Sequence, residues 1–366
     1  MNFGWNETEE MIRDMVRSFV DGRVRESAMR WNEGHGSASE RMSELGELGL
    51  LGVLTPESKG GAELGAVSLA VALTELAEGD AGLAAMVAHH NADALLHLHL
   101  SGWNGPEVAE FCAGSRLLCR ADLEGGAHAD AKVVTAQATC EDGTWRVSGH
   151  KRWVILGTVA SHCVVTVESD GGQRALLVDL RADGVVVAAS EPLVGLRSSD
   201  FGDLLFDDVV AVADLGEVAP HRPVLNAYTR MCAAAISVGV GRAALAAGVS
   251  YTLERQQFGK PIARFQPMQW QTADSATELQ AAELLLWRAA WSLERRRLGE
   301  VSKAAIFAAD TSLRIADRAL QMHGGYGYTA DFPVERHYRD AVTVRKLADG
   351  ADVQRVELAK QLAANV

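Results

Sequence analysis

Two groups of residues in this chain could do chemistry. Val87-Ala-His-His-Asn91 sets two imidazoles, His89 and His90, side by side, and imidazole is the side chain best suited to accept a proton at neutral pH. Further along, Gln321-Met-His-Gly-Gly-Tyr-Gly-Tyr328 is followed by Arg339-Asp340 and by Leu347-Ala-Asp-Gly-Ala-Asp-Val-Gln-Arg355, in which Asp349 offers a carboxylate. Plainer readings stand beside these. The histidines fit surface polarity on a helix, Asp349 fits a solvated loop acid, and Gly324-Gly325 fits a helix stop. Thr229, next to Arg230, is a poor base because a hydroxyl of normal pKa does not ionise near pH 7. Glu294-Arg-Arg-Arg297 reads as a solvated helix end. Five cysteines (Cys112, Cys119, Cys140, Cys163, Cys232) form no CxxC pair. They predict free core thiols in a reducing cytoplasm rather than a disulfide framework or a zinc site.

These residues need a scaffold, and the pattern of the chain supplies one. Up to about residue 116 it reads as helices. Met11, Val16, Phe19 and Val20 give helical spacing, Met42, Leu45, Leu48 and Leu50 follow, and Val67 to Ala77 is a rich Ala/Leu run. Pro56 to Ala62 is a loop by its Pro and Gly content. From about residue 117 short strands take over: Trp145–Ile155, Cys163–Val167, Ala175–Asp179, Val185–Val187 and Leu204–Phe206. Helices return near residue 222, with a close-packing Ala/Gly stretch from Ala233 to Tyr251, a long amphipathic helix from Met268 to Leu298, and another over 301–322. The expected class is α+β, divided as 1–116 helical, 117–218 β and 219–366 helical bundle. No Gly-x-Gly-x-x-Gly follows a strand, so a Rossmann fold is not expected.

A chain of 366 residues, 48% hydrophobic, is long enough for two or three cooperating domains. Its net charge of -13 excludes a general nucleic-acid or anionic-membrane surface. No apolar run long enough for a membrane span is read from the sequence, and the acidic start Met-Asn-Phe-Gly-Trp-Asn-Glu-Thr-Glu-Glu has no signal-peptide core.

Arg255-Gln-Gln-Phe-Gly-Lys-Pro-Ile262, Phe265-Gln266, Gln321 to Gly327 and Arg339-Asp340 stand in one order within about a hundred residues. Together with Gly149-His-Lys-Arg-Trp153 and Gly195-Leu-Arg-Ser-Ser-Asp200, they resemble the acyl-CoA dehydrogenase family across nearly the whole chain. The resemblance implies an N-terminal helical domain, a middle β-barrel-like domain and a C-terminal four-helix bundle. It implies FAD, whose ring system needs an apolar slot and whose diphosphate needs cations or amides. By the same resemblance Arg255 reaches the diphosphate and Phe258 packs on the adenine side. Gln266 and Gln321 bond the adenosine half, Gly324 and Gly325 admit the diphosphate, and Trp153 lies against the isoalloxazine. Because that pocket is shared between subunits, a homo-oligomer, at least a dimer, is implied.

The chain departs from the family where the flavin reacts. The family's Thr-Glu-Pro-Gly-Ala-Gly-Ser-Asp loop aligns with Leu123-Glu-Gly-Gly-Ala-His-Ala-Asp130, so Leu123 and Ala129 replace flavin-bonding hydroxyls, and Ile155 replaces another. Counting from Arg339-Asp340 to Gln354-Arg355 puts Ala348 where the family's Glu removes the α-proton of an acyl thioester, and Gly350 at the following Thr. The family's other Glu position is Thr229. Three readings follow: a flavin oxidoreductase with a displaced base (Asp349 or His90), a catalytically silent subunit, or a flavin monooxygenase on the same fold. The first is preferred. In it the chain looks like the type that oxidises thioesters held by acyl carrier protein in polyketide extender-unit (hydroxymalonyl, methoxymalonyl) pathways. Loss of an O–H proton from an aldehyde hydrate needs a weaker base than C–H abstraction does. Electron-transfer flavoprotein or oxygen is the expected acceptor.

Overall fold

The protein is described by a computed structural model covering residues 4–124 and 134–363. The N-terminal part comprises α1 (Glu7–Phe19), α2 (Arg25–Asn32), α3 (Ala38–Glu47), α4 (Gly65–Gly79), α5 (Ala81–Ala88), α6 (Leu96–Leu100) and α7 (Glu107–Ala113). Asn6 starts α1 with a reciprocal capping box: its side chain accepts the Glu9 N–H, and the Glu9 carboxylate accepts the Asn6 N–H. Ile12 and Val16 form the buried stripe. Met11, expected on that stripe, is instead 67% exposed. The run from Val67 to Ala77 is apolar all round because α4 is enclosed on every side. Asp80 caps α5 by accepting the Leu83 N–H at 2.7 Å. Between α5 and α6 the helix widens into a π-helical stretch, His89–Leu95, a form frequent at functional sites.

Strands begin at β1 (Leu118–Ala121), followed by β2 (Gln137–Glu141), β3 (Thr144–Ile155), β4 (His162–Ser169), β5 (Gly172–Asp179), β6 (Val185–Ala189), β7 (Phe201–Val210) and β8 (Ala213–Glu217). Their sheet runs β6-β7-β3-β2-β4-β5-β8, with β1 parallel to β4 in the register Cys119↔Cys163. The five strands expected from alternation are all present. β1, β2 and β8 were not expected, because β1 is four buried residues without alternation and the other two are polar.

The C-terminal bundle is α8 (Arg222–Glu254), a small hairpin of β9 (Gln256–Gln257) and β10 (Lys260–Pro261), α9 (Gln266–Leu293), α10 (Val301–Met322), α11 (Val334–Val344) and α12 (Gly350–Ala363). The helix expected to reach Leu298 stops at Leu293. Contrary to the reading of no span-length apolar run, α8 is apolar enough to cross a membrane, with a mean hydropathy of 1.6; two-thirds of that window is buried as the core of the bundle. Its glycines permit close approach: a Cβ on Gly239 would sit 2.4 Å from the Thr74 carbonyl oxygen of α4. Four of the five cysteines are buried free thiols; Cys140, expected in the core, is exposed.

The loop 195–200 ties the three parts together. The Leu196 N–H donates to Asp340 at 2.7 Å, the Ser198 hydroxyl donates to Asp80 at 2.5 Å, and a Gly195 Cβ would strike the Arg339 carbonyl oxygen at 2.2 Å. Burial pushes the Asp340 carboxyl up to about 6, against the opposing pull of Arg336.

Candidate active site

The turn between α11 and α12 carries Ala348, expected by counting at the family's base position. Ala348, Asp349 and Gly350 all take positive φ, at 52°, 68° and 73°. Left-handed backbone at two consecutive non-glycine residues is strained, and such strain persists where surrounding structure holds it. Here Gln354 Nε2 donates to the Ala348 carbonyl oxygen at 2.8 Å. The Ala348 methyl has no proton-accepting group. The Asp349 carboxylate beside it accepts from Arg230 Nη2 at 3.2 Å, and the same nitrogen donates to Glu357 of α12 at 2.5 Å. Arg230 Nη1 reaches the Ser302 hydroxyl at 3.2 Å. The guanidinium is 6% exposed, so α8 presents a buried cation to the turn. Burial raises the Asp349 carboxyl above the ordinary aspartate range; Arg230 opposes that rise, while Glu357 and Asp122 add to it. Asp349 is therefore a more basic carboxylate than a surface one, held by one cation.

Around β1 lies a charged wall that the sequence reading missed. Arg120 Nη2 bonds Asp122 at 2.8 Å, and Nη1 lies 3.8 Å from Asp93. Asp122 also accepts from the Thr166 hydroxyl. His89 Nδ1 is 3.0 Å from Asp93, while its Nε2 accepts the Arg120 N–H at 3.0 Å; the ring proton therefore sits on Nδ1 and points at Asp93. The available signal was the spacing of Arg120 and Asp122, two positions apart, which lets the two side chains pair on one side of the chain.

His90 does not serve as the displaced base. It is fully buried, with Nε2 3.1 Å from the Phe111 carbonyl oxygen and Nδ1 3.1 Å from that of Leu118. Burial lowers it to about 4. It staples α7 to β1, and its partners are main-chain groups.

The residues expected around the flavin fall on two surfaces. Leu123 is exposed at the end of β1, and its carbonyl accepts the Arg152 N–H at 2.9 Å. Glu124 behind it pairs with the fully buried Lys151 at 2.5 Å, which anchors this end of the loop. Trp153 has φ of 52°, donates its N–H to Asp203 at 3.1 Å, and is capped by Arg152 at 4.6 Å from the ring. Ile155 is half-buried and pairs with Phe201 across the sheet. Ala129 lies outside the described residues.

The second surface is where α8 and α10 end. Tyr251 stacks on His323 at 4.2 Å and joins the two helices. Around that stack Arg255, Gln266, Gln321, Gly324 and Gly325 are exposed, and Phe258 is 92% exposed. A Cβ at Gly324 or Gly325 would meet nothing within 4 Å. That open space, the bare aromatic ring and the solvent-facing guanidinium suit an aromatic ligand with a diphosphate. A cleft of about 440 Å³ opens between β5, β8, the start of α8 and α12; it is lined by Gln173, Arg222, Asn226 and Glu357. It shares Glu357 with the Arg230–Asp349 bridge. A larger groove, about 730 Å³, runs along α1 and α8 by Trp5, Arg17 and Arg242, away from this chemistry.

Three family models match consecutive stretches of the chain. They are the acyl-CoA dehydrogenase N-terminal domain over residues 6–102, the middle domain over 119–209 and the C-terminal domain over 226–363. Benzylmalonyl-CoA dehydrogenase of Aromatoleum aromaticum is 31% identical over 93% of this chain and 94% of its own. The chain belongs to the acyl-CoA dehydrogenase family. The bovine mitochondrial short-chain specific acyl-CoA dehydrogenase is 29% identical over 97% of this chain and 90% of its own length. The solved butyryl-CoA dehydrogenase of Megasphaera elsdenii superposes with a TM-score of 0.94 at 25% identity, covering 99% of this chain and all of that one. As a family member the protein is an oxidoreductase flavoenzyme, and its cofactor is FAD. Residues of both surfaces fit that cofactor: Trp153 and Leu123 offer apolar contact for its ring system, and Arg255 with the Gly324–Gly325 turn offers charge and room for its diphosphate.

Proposed function

We propose that this protein is an FAD-dependent oxidoreductase of hydroxylated acyl thioesters carried on acyl carrier protein, with Asp349 as the proton acceptor. The class of substrate is that of polyketide extender-unit biosynthesis, the hydroxymalonyl and methoxymalonyl series. One observation carries the reading: with Ala348 at the family's base position, the carboxylate of the next residue, Asp349, is raised in basicity by burial and held by Arg230 at 3.2 Å. An aspartate one residue along is shorter than the missing Glu and suits an O–H proton, which is far more acidic than a C–H.

When bound, FAD supplies a two-electron acceptor for hydride. The chain's own residues do the rest. Asp349 takes the hydroxyl proton of an alcohol or aldehyde hydrate. Arg230 keeps that carboxylate aimed and ionised before the transfer and is left with Glu357 as counter-ion afterwards. The cleft by Arg222 and Glu357 leads the carrier's arm toward this turn. The exposed ends of α8 and α10, with Phe258 bare, support a second copy of the chain completing each cofactor site, hence a homo-oligomer. An electron-transfer flavoprotein is the proposed reoxidant. The buried free thiols of Cys119 and Cys163, opposite each other in the sheet, support a reducing, cytoplasmic setting.

The test is anaerobic incubation of FAD-loaded protein with a panel of carrier-bound thioesters, followed by intact-protein mass spectrometry. Loss of two hydrogens from a hydroxyacyl thioester, with bleaching of the flavin, is expected. Desaturation of a plain butyryl thioester at a comparable rate would count against it.

A further inference from the structure

We infer that Asp93, Arg120 and Asp122 form a hydrogen-bonding clamp that selects an acyl group with hydroxyls beyond the thioester carbonyl, in preference to an alkyl chain. The inference rests on the reading that the thioester lies beside Asp349, and it deepens that reading. The clamp is a built arrangement. Arg120 is 6% exposed, bonds Asp122 at 2.8 Å and lies 3.8 Å from Asp93. Asp93 is held from behind by His89 Nδ1 at 3.0 Å, and that ring is fixed by the Arg120 N–H. Both oxygens of Asp122 already face protein partners, Thr166 on one and Arg120 on the other, but a carboxylate oxygen has room for a second donor. The Asp93 and Asp122 side chains keep 25% and 32% of their surface, although the arginine between them is enclosed.

Two further polar groups here lack partners among the described residues. Arg120 Nε has none, and His97, wholly buried in α6 beside Arg120 and Asp122, has none at either ring nitrogen. Enclosed polar atoms in folded proteins are normally satisfied by protein, water or ligand, so a polar molecule belongs at this wall.

The charge balance says which kind. Glu124 and Lys151 neutralise each other. Asp93, Asp122, Asp349 and Glu357 remain against Arg120 and Arg230, an excess of acceptors. An alkyl chain would strip water from two carboxylates without replacing the lost hydrogen bonds. Hydroxyl groups donate to these carboxylate oxygens and keep the wall satisfied. The clamp adjoins the reacting turn through α8: the π-helical stretch that carries Asp93 packs on that helix, which also carries Arg230.

The test uses FAD-loaded full-length protein and two unreactive probes, the pantetheine amides of 2,3-dihydroxypropionate and of butyrate. Calorimetry and perturbation of the flavin absorption band read their affinities. Wild-type protein should bind the dihydroxy probe at least about tenfold tighter, the worth of one hydrogen bond to a charged acceptor. Asp93→Leu should lose that margin and gain affinity for the butyryl probe, with KM for a hydroxyacyl thioester rising while kcat holds. Asp93→Asn keeps shape and folds where leucine does not; its margin should shrink with butyryl binding unchanged. Equal affinities in wild type, or equal losses for both probes in the variants, would overturn the clamp while leaving the thioester reading intact. If neither probe binds or perturbs the flavin, the thioester reading fails, and the clamp with it.

Discussion

Replacing Arg230 with methionine removes the one cation shared by Asp349 and Glu357 while keeping most of the side-chain volume. At an effective dielectric of about 20, the gross attractions at 3.2 Å and 2.5 Å are about 5 and about 7 kcal/mol. The guanidinium is nearly enclosed, so its own desolvation opposes these by several kcal/mol. The carboxylates keep 27% and 31% of their surface, so solvent screens the remainder. The net loss at pH 8 should be about 2–3 kcal/mol, seen as a thermal midpoint lower by roughly 5 °C. The sign with pH follows from Asp349, whose folded pKa already lies above its unfolded value of 3.8. Without Arg230 the main influence lowering it is gone, and it rises further. The variant's deficit is therefore full above that new pKa and shrinks as pH falls toward 3.8, because Asp349 is then protonated in both proteins. The limb of flavin-reduction rate that reports the base should move to higher pH. Thermal scans of the FAD-loaded protein from pH 5 to 8, with stopped-flow over the same range, measure both. A deficit that does not vary with pH, joined to an unmoved rate profile, would refute the Arg230–Asp349 couple.

Other outcomes follow from the same contacts. His90→Ala should cost about 1–3 kcal/mol by leaving the buried Phe111 carbonyl without its donor, with the rate per folded FAD site unchanged; a large fall in kcat at full FAD occupancy would restore His90 as a base. Asp340→Asn should stabilise the protein at pH 8 and have little effect at pH 4. Burial pushes the native carboxyl up to about 6, so its ionisation opposes folding in full above that value, and the penalty fades as pH falls from there to the unfolded value of 3.8. Thermal midpoints at the two pH values decide it. Phe258→Ala should leave folding unaffected, since the ring is 92% exposed, and should weaken FAD retention on gel filtration. Gly239→Val should block close approach of α8 to α4, where Thr74 O would stand 2.4 Å from the new Cβ, with little folded protein recovered.

Much of the fold was legible because the signals were long. α8 and α10 announce themselves by Ala-rich helical spacing and by the Gly324–Gly325 stop, and β3 by twelve residues of near alternation. What escaped was short or uniformly buried: β1 offers Leu-Cys-Arg-Ala with no alternation, and its role as the wall holding Arg120 depends on parallel pairing to β4, 44 residues away (Leu118 to His162). Ala348 was expected at the base position by counting, but the partner of its neighbour Asp349 could not be read that way. Arg230 stands 119 positions from Asp349 in sequence, and only packing of α8 against the α11–α12 turn brings them to 3.2 Å. His90 misled because adjacent histidines look alike in sequence. One turn of π-helix sends His89 toward Asp93 and His90 into main chain.

The most direct test of the account is anaerobic single-turnover reduction by a carrier-bound 2,3-dihydroxypropionyl thioester, comparing wild-type protein with Asp349→Asn at equal FAD content. The account predicts bleaching in wild type and a rate lower by about 10²–10⁴-fold in the variant, the usual contribution of a positioned acid–base group. Equal bleaching rates in the two proteins would mean that the proton leaves by another route and would contradict it.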